Sequence, residues 1–304
     1  MHASSCNTRR PAPSCTSDWA WKKKRKRPTE APGACRKKHP SRTVQAEMIG
    51  WFRRQLLSRK ADEMMPDAAE FDAVCGASRC LALLDREERR RLRRLAAMIL
   101  AGKQFHGAGG FQPGWEHCLP VAAHAALPAL EIGLEAYSQF HTFILYEDEF
   151  ESDFEEIDDA GVVHRGRDLR AGEAWHRGPV VLSLADVHQS GHGDGYHVVV
   201  HELAHQLDHL NGDADGYPPL PRQIAHRDWV DTFSAAYRRL IREMDRDEEP
   251  AIDPYAAESP GEFFAVASEY FFDWPERLSE VEPGVYRLLA ALYGQDPLVR
   301  LRNR

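Results

Sequence analysis

The sequence predicts an α+β fold, with a small sheet in the middle of the chain and helices on either side of it. Three observations support this. Residues 67–135 read as helical, most clearly over 85–102, where Leu92, Leu95, Met98 and Ile99 form one apolar stripe. Strand-type runs rich in β-branched and aromatic residues follow at 141–146, 161–164 and 179–184. Helical periodicity then returns at 195–211, 223–247, 259–273 and 283–293.

The 304 residues, 43% hydrophobic and 28% charged, suit a globular protein with ample core. Charge is unevenly placed. Residues 1–47 hold twelve Lys/Arg and three Asp/Glu, a local +9, so the remainder carries −17 of the overall −8. The basic run 22–27 could serve as a nucleic-acid patch or import signal, but such runs are usually just solvated. The segment lacks a periodic apolar pattern, so residues 1–47 are read as disordered or as an over-extended reading frame. That leaves an N-terminal helical region, 48–135, and a second region, 136–304. No direct nucleic-acid partner is expected.

Within the helical region, Asp85 and Glu88 open a helix in which Arg89, Arg90, Arg91, Arg93 and Arg94 flank the apolar stripe. They read as a solvated face paired with nearby acids. The most apolar stretch, 119–134, is broken by Pro120, His124, Pro128 and Glu131, which makes it a buried helix rather than a membrane span. No membrane association is expected. Residues 147–159 contain nine carboxylates in thirteen positions and read as an exposed acidic loop. Cys75, Cys80 and Cys118 show neither CxxC spacing nor a paired framework. They read as reduced thiols, which points to the cytoplasm.

The chemistry concentrates in His201-Glu202-Leu203-Ala204-His205. On a helix, positions i and i+4 share a face, so both imidazoles can reach one metal ion. Glu202, beside them, can take a proton from the attacking water. Asp194-Gly195 is the expected helix start and Asn211-Gly212 the stop. His201, His205 and Asp208 fall on one stripe, apart from the core-facing Val199, Leu203, Leu207 and Leu210. His188, His192, His197, His209 and His226 read as ordinary non-ligating histidines.

A catalytic zinc needs a third protein ligand and an open position. The metzincin solution, a third His six residues after the second, is excluded because Asn211 stands there. A carboxylate from a later helix is the remaining common solution. Ser259-Pro260 reads as N-cap and first helical residue, which makes Glu262 the third. Glu262 and Glu269 then share one face of a helix that is otherwise Phe263, Phe264, Val266, Ala267, Tyr270 and Phe271. Buried carboxylates need a cation.

The runs HELAHQLDHLNG (201–212), IDPYAAESPGEFFAVASEYFF (252–272) and LYGQDP (292–297), with GPVVLS (178–183) ahead of them, resemble the Mlc titration factor A family of bacterial zinc peptidases. That family is similar in its catalytic domain to the anthrax lethal factor metalloprotease. The resemblance covers the chain from about residue 48 onward. It implies a zincin-like catalytic domain over 136–304 and one zinc ion per chain. Matched by position, His201, His205 and Glu262 would be the zinc ligands, Glu202 the catalytic base, and Tyr255 the assistant to the tetrahedral intermediate. Asp208 and Glu269 would orient ligands. The implied activity is peptide-bond hydrolysis of a peptide or protein substrate, aminopeptidase-like in described relatives. The strand at 179–184 would lie at the edge of the cleft and pair with substrate. The alternative the family name implies is a regulatory binding protein that sequesters an Mlc-type transcriptional repressor, with peptidase activity secondary.

Overall fold

A computed structural model describes residues 57–148, 150–157, 163–170, 172–174 and 178–303, with 150–157, 163–170 and 172–174 described by backbone alone. The basic segment 1–47 lies outside the described residues. Helices dominate, and the sheet is small, in keeping with the α+β expectation.

The N-terminal helices are α1 (Ala68–Ala77), α2 (Arg79–Ala82), α3 (Arg86–Gly102), α4 (Trp115–Ala126) and α5 (Ala129–Ile132). Helix α3 starts with a full capping box: Asp85 accepts the Glu88 N–H, and the Glu88 carboxylate accepts the Asp85 N–H. Its arginines go where solvated or paired arginines go. Arg90 bonds Glu87, Arg91 bonds Glu131, Arg94 bonds Asp62, and Arg93 donates to the Pro66 carbonyl.

Strands β1 (Gln104–Gly107), β2 (Thr142–Tyr146) and β6 (Val180–Ser183) run parallel, in the order β1-β2-β6. Two sequence expectations fail here. The acidic stretch is not a loop: β3 (Phe150–Ile157) pairs antiparallel with β4 (Val163–Arg170), Phe150 opposite Arg170. Nor is the 179–184 strand at an edge. The short β5 (Gly172–Ala174) pairs antiparallel with it, Gly172 opposite Leu182, so both sides of β6 are filled. The edges of this sheet are β1 and β5.

After β6 come α6 (Leu184–Gln189), α7 (Val198–Asp208), α8 (His226–Asp245), α9 (Pro260–Asp273), α10 (Pro275–Val281), α11 (Pro283–Tyr293) and α12 (Pro297–Arg302). Helices α7 and α9 pack on each other, and α7 also lies against β5 and β6. One continuous core runs from Phe71 to Tyr293. Part of it is an aromatic cluster: Trp229 stacks on Phe233 at 4.1 Å, and Phe233 meets Phe263 and Phe264. Phe271 and Phe272 pack against Tyr293 on the far side of α9. These aromatics grip α9 all round, leaving the Glu262 and Glu269 stripe to face α7.

Candidate metal centre

Helix α7 begins later than the sequence suggests. Asp194-Gly195 is not its start. The residues ahead of it form a loop in which Gly191, Gly193 and Gly195 all have positive φ, between +83° and +94°. A Cβ on Gly195 would come within 2.6 Å of the Tyr270 ring, so glycine is required by contact as well as by conformation. The Asp273 carboxylate, at the end of α9, accepts the N–H groups of Gly193 and Gly195 at 2.9 and 2.8 Å. Ser190 Oγ accepts the Val198 N–H at 3.0 Å, and His197 is the N-cap, its Nδ1 taking the Val200 N–H at 3.4 Å. The helix ends as expected: a single 3₁₀ turn, His209–Asn211, runs into Gly212.

This start fixes the rotational phase of α7 and aims His201 and His205 at α9. Their rings meet edge to face with centroids 4.8 Å apart, and their Nε2 atoms are 3.2 Å apart. Opposite them, the Ser259 hydroxyl caps α9 by accepting the Glu262 N–H at 3.1 Å, with Pro260 in the first turn. The Glu262 carboxylate turns to the imidazoles. Its Oε2 lies 3.0 Å from His201 Nε2 and 3.2 Å from His205 Nε2. Two ligands at tetrahedral positions on zinc, each at about 2.0–2.1 Å, stand about 3.3 Å apart. The three donor atoms are therefore spaced as a single ion would hold them, and this donor set fits zinc.

The electrostatics favour a cation at the same point. Burial alone would lower the pKa of His201, yet the carboxylates of Glu262 and Glu269 hold it well above the ordinary histidine value. Burial likewise would raise Glu262, but His201 and His205 hold its carboxyl far below the usual range. Glu269 supports the centre from behind. Its Oε1 is 2.8 Å from His201 Nδ1, and its Oε2 takes the His197 backbone N–H at 2.5 Å. With Nδ1 engaged there, Nε2 is the His201 nitrogen that a metal ion would take, in exchange for its proton.

Glu202 follows His201 on α7 and is buried, at 4% exposure. Tyr255 sits in a 3₁₀ turn, Pro254–Ala257, capped by Asp253, whose Oδ1 accepts the Tyr255 N–H at 2.8 Å. Its ring centroid is 6.0 Å from that of His201. At 51% exposure Tyr255 is not a core residue. Asp208 is fully buried and accepts the Gly216 N–H at 2.6 Å.

The remaining histidines divide. His209 Nδ1 faces the Gly212 carbonyl, His192 the His188 carbonyl and His226 the Tyr217 hydroxyl, each away from the centre. His197 is completely buried, its Nε2 3.0 Å from the Nδ1 of a buried His124. The one signal for it was position: it lies four residues before His201, on the same helical face.

Comparison with known proteins identifies a family. Residues 50–294 match the family described as glucose-regulated metallo-peptidase M90. The chain is similar to "Mlc titration factor A" of Escherichia fergusonii, 39% identical over 72% of this chain and 84% of that protein. The Klebsiella pneumoniae (strain 342) protein of the same name is 40% identical over 73% and 85%. That of Enterobacter sp. (strain 638) is 38% identical over 80% and 93%.

Proposed function

The chain belongs to the Mlc titration factor A family of M90 metallopeptidases, and we propose that it is a zinc-dependent peptidase acting through His201, His205 and Glu262. The observation behind this reading is the convergence of those three donor atoms beside Glu202. Helix α7 and strands β2 and β6 before it then correspond to a zincin-like catalytic region, 136–304, to which 48–135 adds its helices and strand β1.

A zinc ion in this site would supply Lewis acidity and lower the pKa of water at its open position. Glu202 accepts the proton of the attacking water and returns it to the leaving amine. The Tyr255 hydroxyl donates to the oxygen on which negative charge develops. Glu269 keeps the His201 ring oriented through Nδ1. We read the substrate as a peptide, attacked in aminopeptidase fashion, and the compartment as the cytoplasm. Purified protein offered peptides with free and with blocked N-termini, before and after chelation, tests this. Cleavage of both kinds at equal rates would overturn the aminopeptidase part, and cleavage that survives chelation would overturn the metal.

The relatives' name favours one second reading, a regulatory protein that sequesters an Mlc-type repressor. Under it, a purified Mlc-type repressor binds wild-type and Glu202→Gln protein equally. Absence of binding to either removes it.

A further inference from the structure

We propose that Cys80, His124 and His197 form a second zinc site, one with a thiolate ligand, at the start of the metal-centre helix. Cys80 comes from α2, His124 from α4, and His197 is the N-cap of α7. Each offers one ligand atom, and the three atoms lie within 4.8 Å of one another. All three residues are buried, at 4%, 5% and 0% exposure.

The geometry of the pair repeats that of the first centre. The His124 and His197 rings meet edge to face at 4.7 Å and 78°, and those of His201 and His205 at 4.8 Å and 77°. The facing nitrogens are 3.0 Å apart in one pair and 3.2 Å in the other. A thiol takes the place that Glu262 holds at the first centre, and imidazole and thiolate are both zinc ligands.

Gly191 leaves the space between them. A Cβ there would stand 3.3 Å from His124 Cε1, 3.4 Å from Cys80 Sγ and 2.6 Å from Ser78 Oγ. The Ser78 hydroxyl, 3.2 Å from Cys80 Sγ, is placed to serve as a fourth donor. Binding balances as an exchange: zinc enters, the Cys80 thiol proton leaves to solvent, and the His197 ring proton moves from Nε2 to Nδ1. The contact displaced by that shift is the 3.4 Å bond from Val200, the longest of the described side-chain helix caps. Burial keeps both imidazoles neutral, His124 with a pKa of about 4, and pushes the Cys80 thiol up to about 12, so that thiol gives up its proton only in exchange for a bound ion.

The rival arrangement is a neutral pair in which His197 Nε2–H donates to His124 Nδ1. It accounts for the imidazoles and leaves Cys80 to its hydrogen bond with the Ser78 hydroxyl. A bound ion would instead tie α2 and α4 to the N-terminus of α7.

The test uses cobalt(II), because the first centre contains no sulfur. Cobalt added to the full-length Glu262→Ala protein should give sulfur-to-cobalt charge-transfer absorption in the near ultraviolet. Cys75→Ser added to that background should keep the absorption, and Cys80→Ser should abolish it. Zinc should raise the melting temperature of Glu262→Ala protein but not of the Cys80→Ser double variant. Should Cys80→Ser fail to fold, His124→Gln in the same background must weaken cobalt binding at least tenfold. Lack of charge-transfer absorption in the Glu262→Ala protein would overturn the proposal. So would absorption that survives Cys80→Ser, or cobalt affinity unchanged in His124→Gln.

Discussion

Glu269 Oε1 stands 2.8 Å from His201 Nδ1 while the other oxygen of the same carboxylate receives the His197 backbone N–H. One side chain of α9 thus holds both a ligand ring and the first turn of the helix that bears it. Removing the charge should loosen the ring without removing a donor atom. Glu269→Gln should weaken zinc binding at the first centre by roughly 10–100-fold. Chelator competition measures this, and unchanged affinity would reduce Glu269 to a packing role.

The three ligands should behave alike. His201→Ala, His205→Ala and Glu262→Ala should each lose one equivalent of metal relative to wild type in elemental analysis. Retention of that equivalent in the Glu262→Ala protein would place the third ligand elsewhere.

Tyr255 is half exposed and lies against His201, so its ring contributes little to the core. Tyr255→Phe should leave melting temperature and metal content unchanged. If the hydroxyl donates to the developing oxyanion, kcat should fall by roughly 10²-fold with little change in KM. A Phe variant with wild-type turnover refutes that role.

Asp273 supplies a pH dependence. Burial pushes its carboxyl from 3.8 up to about 6, against the lowering effect of the Gly195 and Gly193 N–H groups. A folded pKa above the unfolded one means that the folded protein holds an extra proton between about pH 4 and 6. Its contribution is therefore full below pH 4 and is lost as pH rises through 6, by at most about 3 kcal/mol. Asp273→Asn keeps an acceptor for the glycine loop but cannot titrate. Its stability in urea should lack the decline between pH 4 and 6 that wild type shows. Parallel profiles would assign the wild-type dependence to other groups.

Much of the centre was legible because its signals are local. The i, i+4 spacing of His201 and His205 and the Ser259-Pro260 start ahead of Glu262 each depend on a few adjacent residues. What escaped depends on partners far along the chain. Residues 150–157 carry enough carboxylates to mask strand propensity, and their pairing with 163–170 is a tertiary fact. Gly172–Ala174 is too short to signal a strand, so β6 looked like an edge. Asp194-Gly195 resembled a helix start because positive φ at three glycines cannot be seen in composition.

The role of Glu202 as the base is tested most directly by Glu202→Gln, assayed for metal content and peptide hydrolysis in the same preparation. The amide matches the carboxylate in size but cannot accept the water's proton. Metal content should stay at the wild-type level while hydrolysis falls by roughly 10³-fold or more. Turnover near the wild-type rate at full metal occupancy would contradict it.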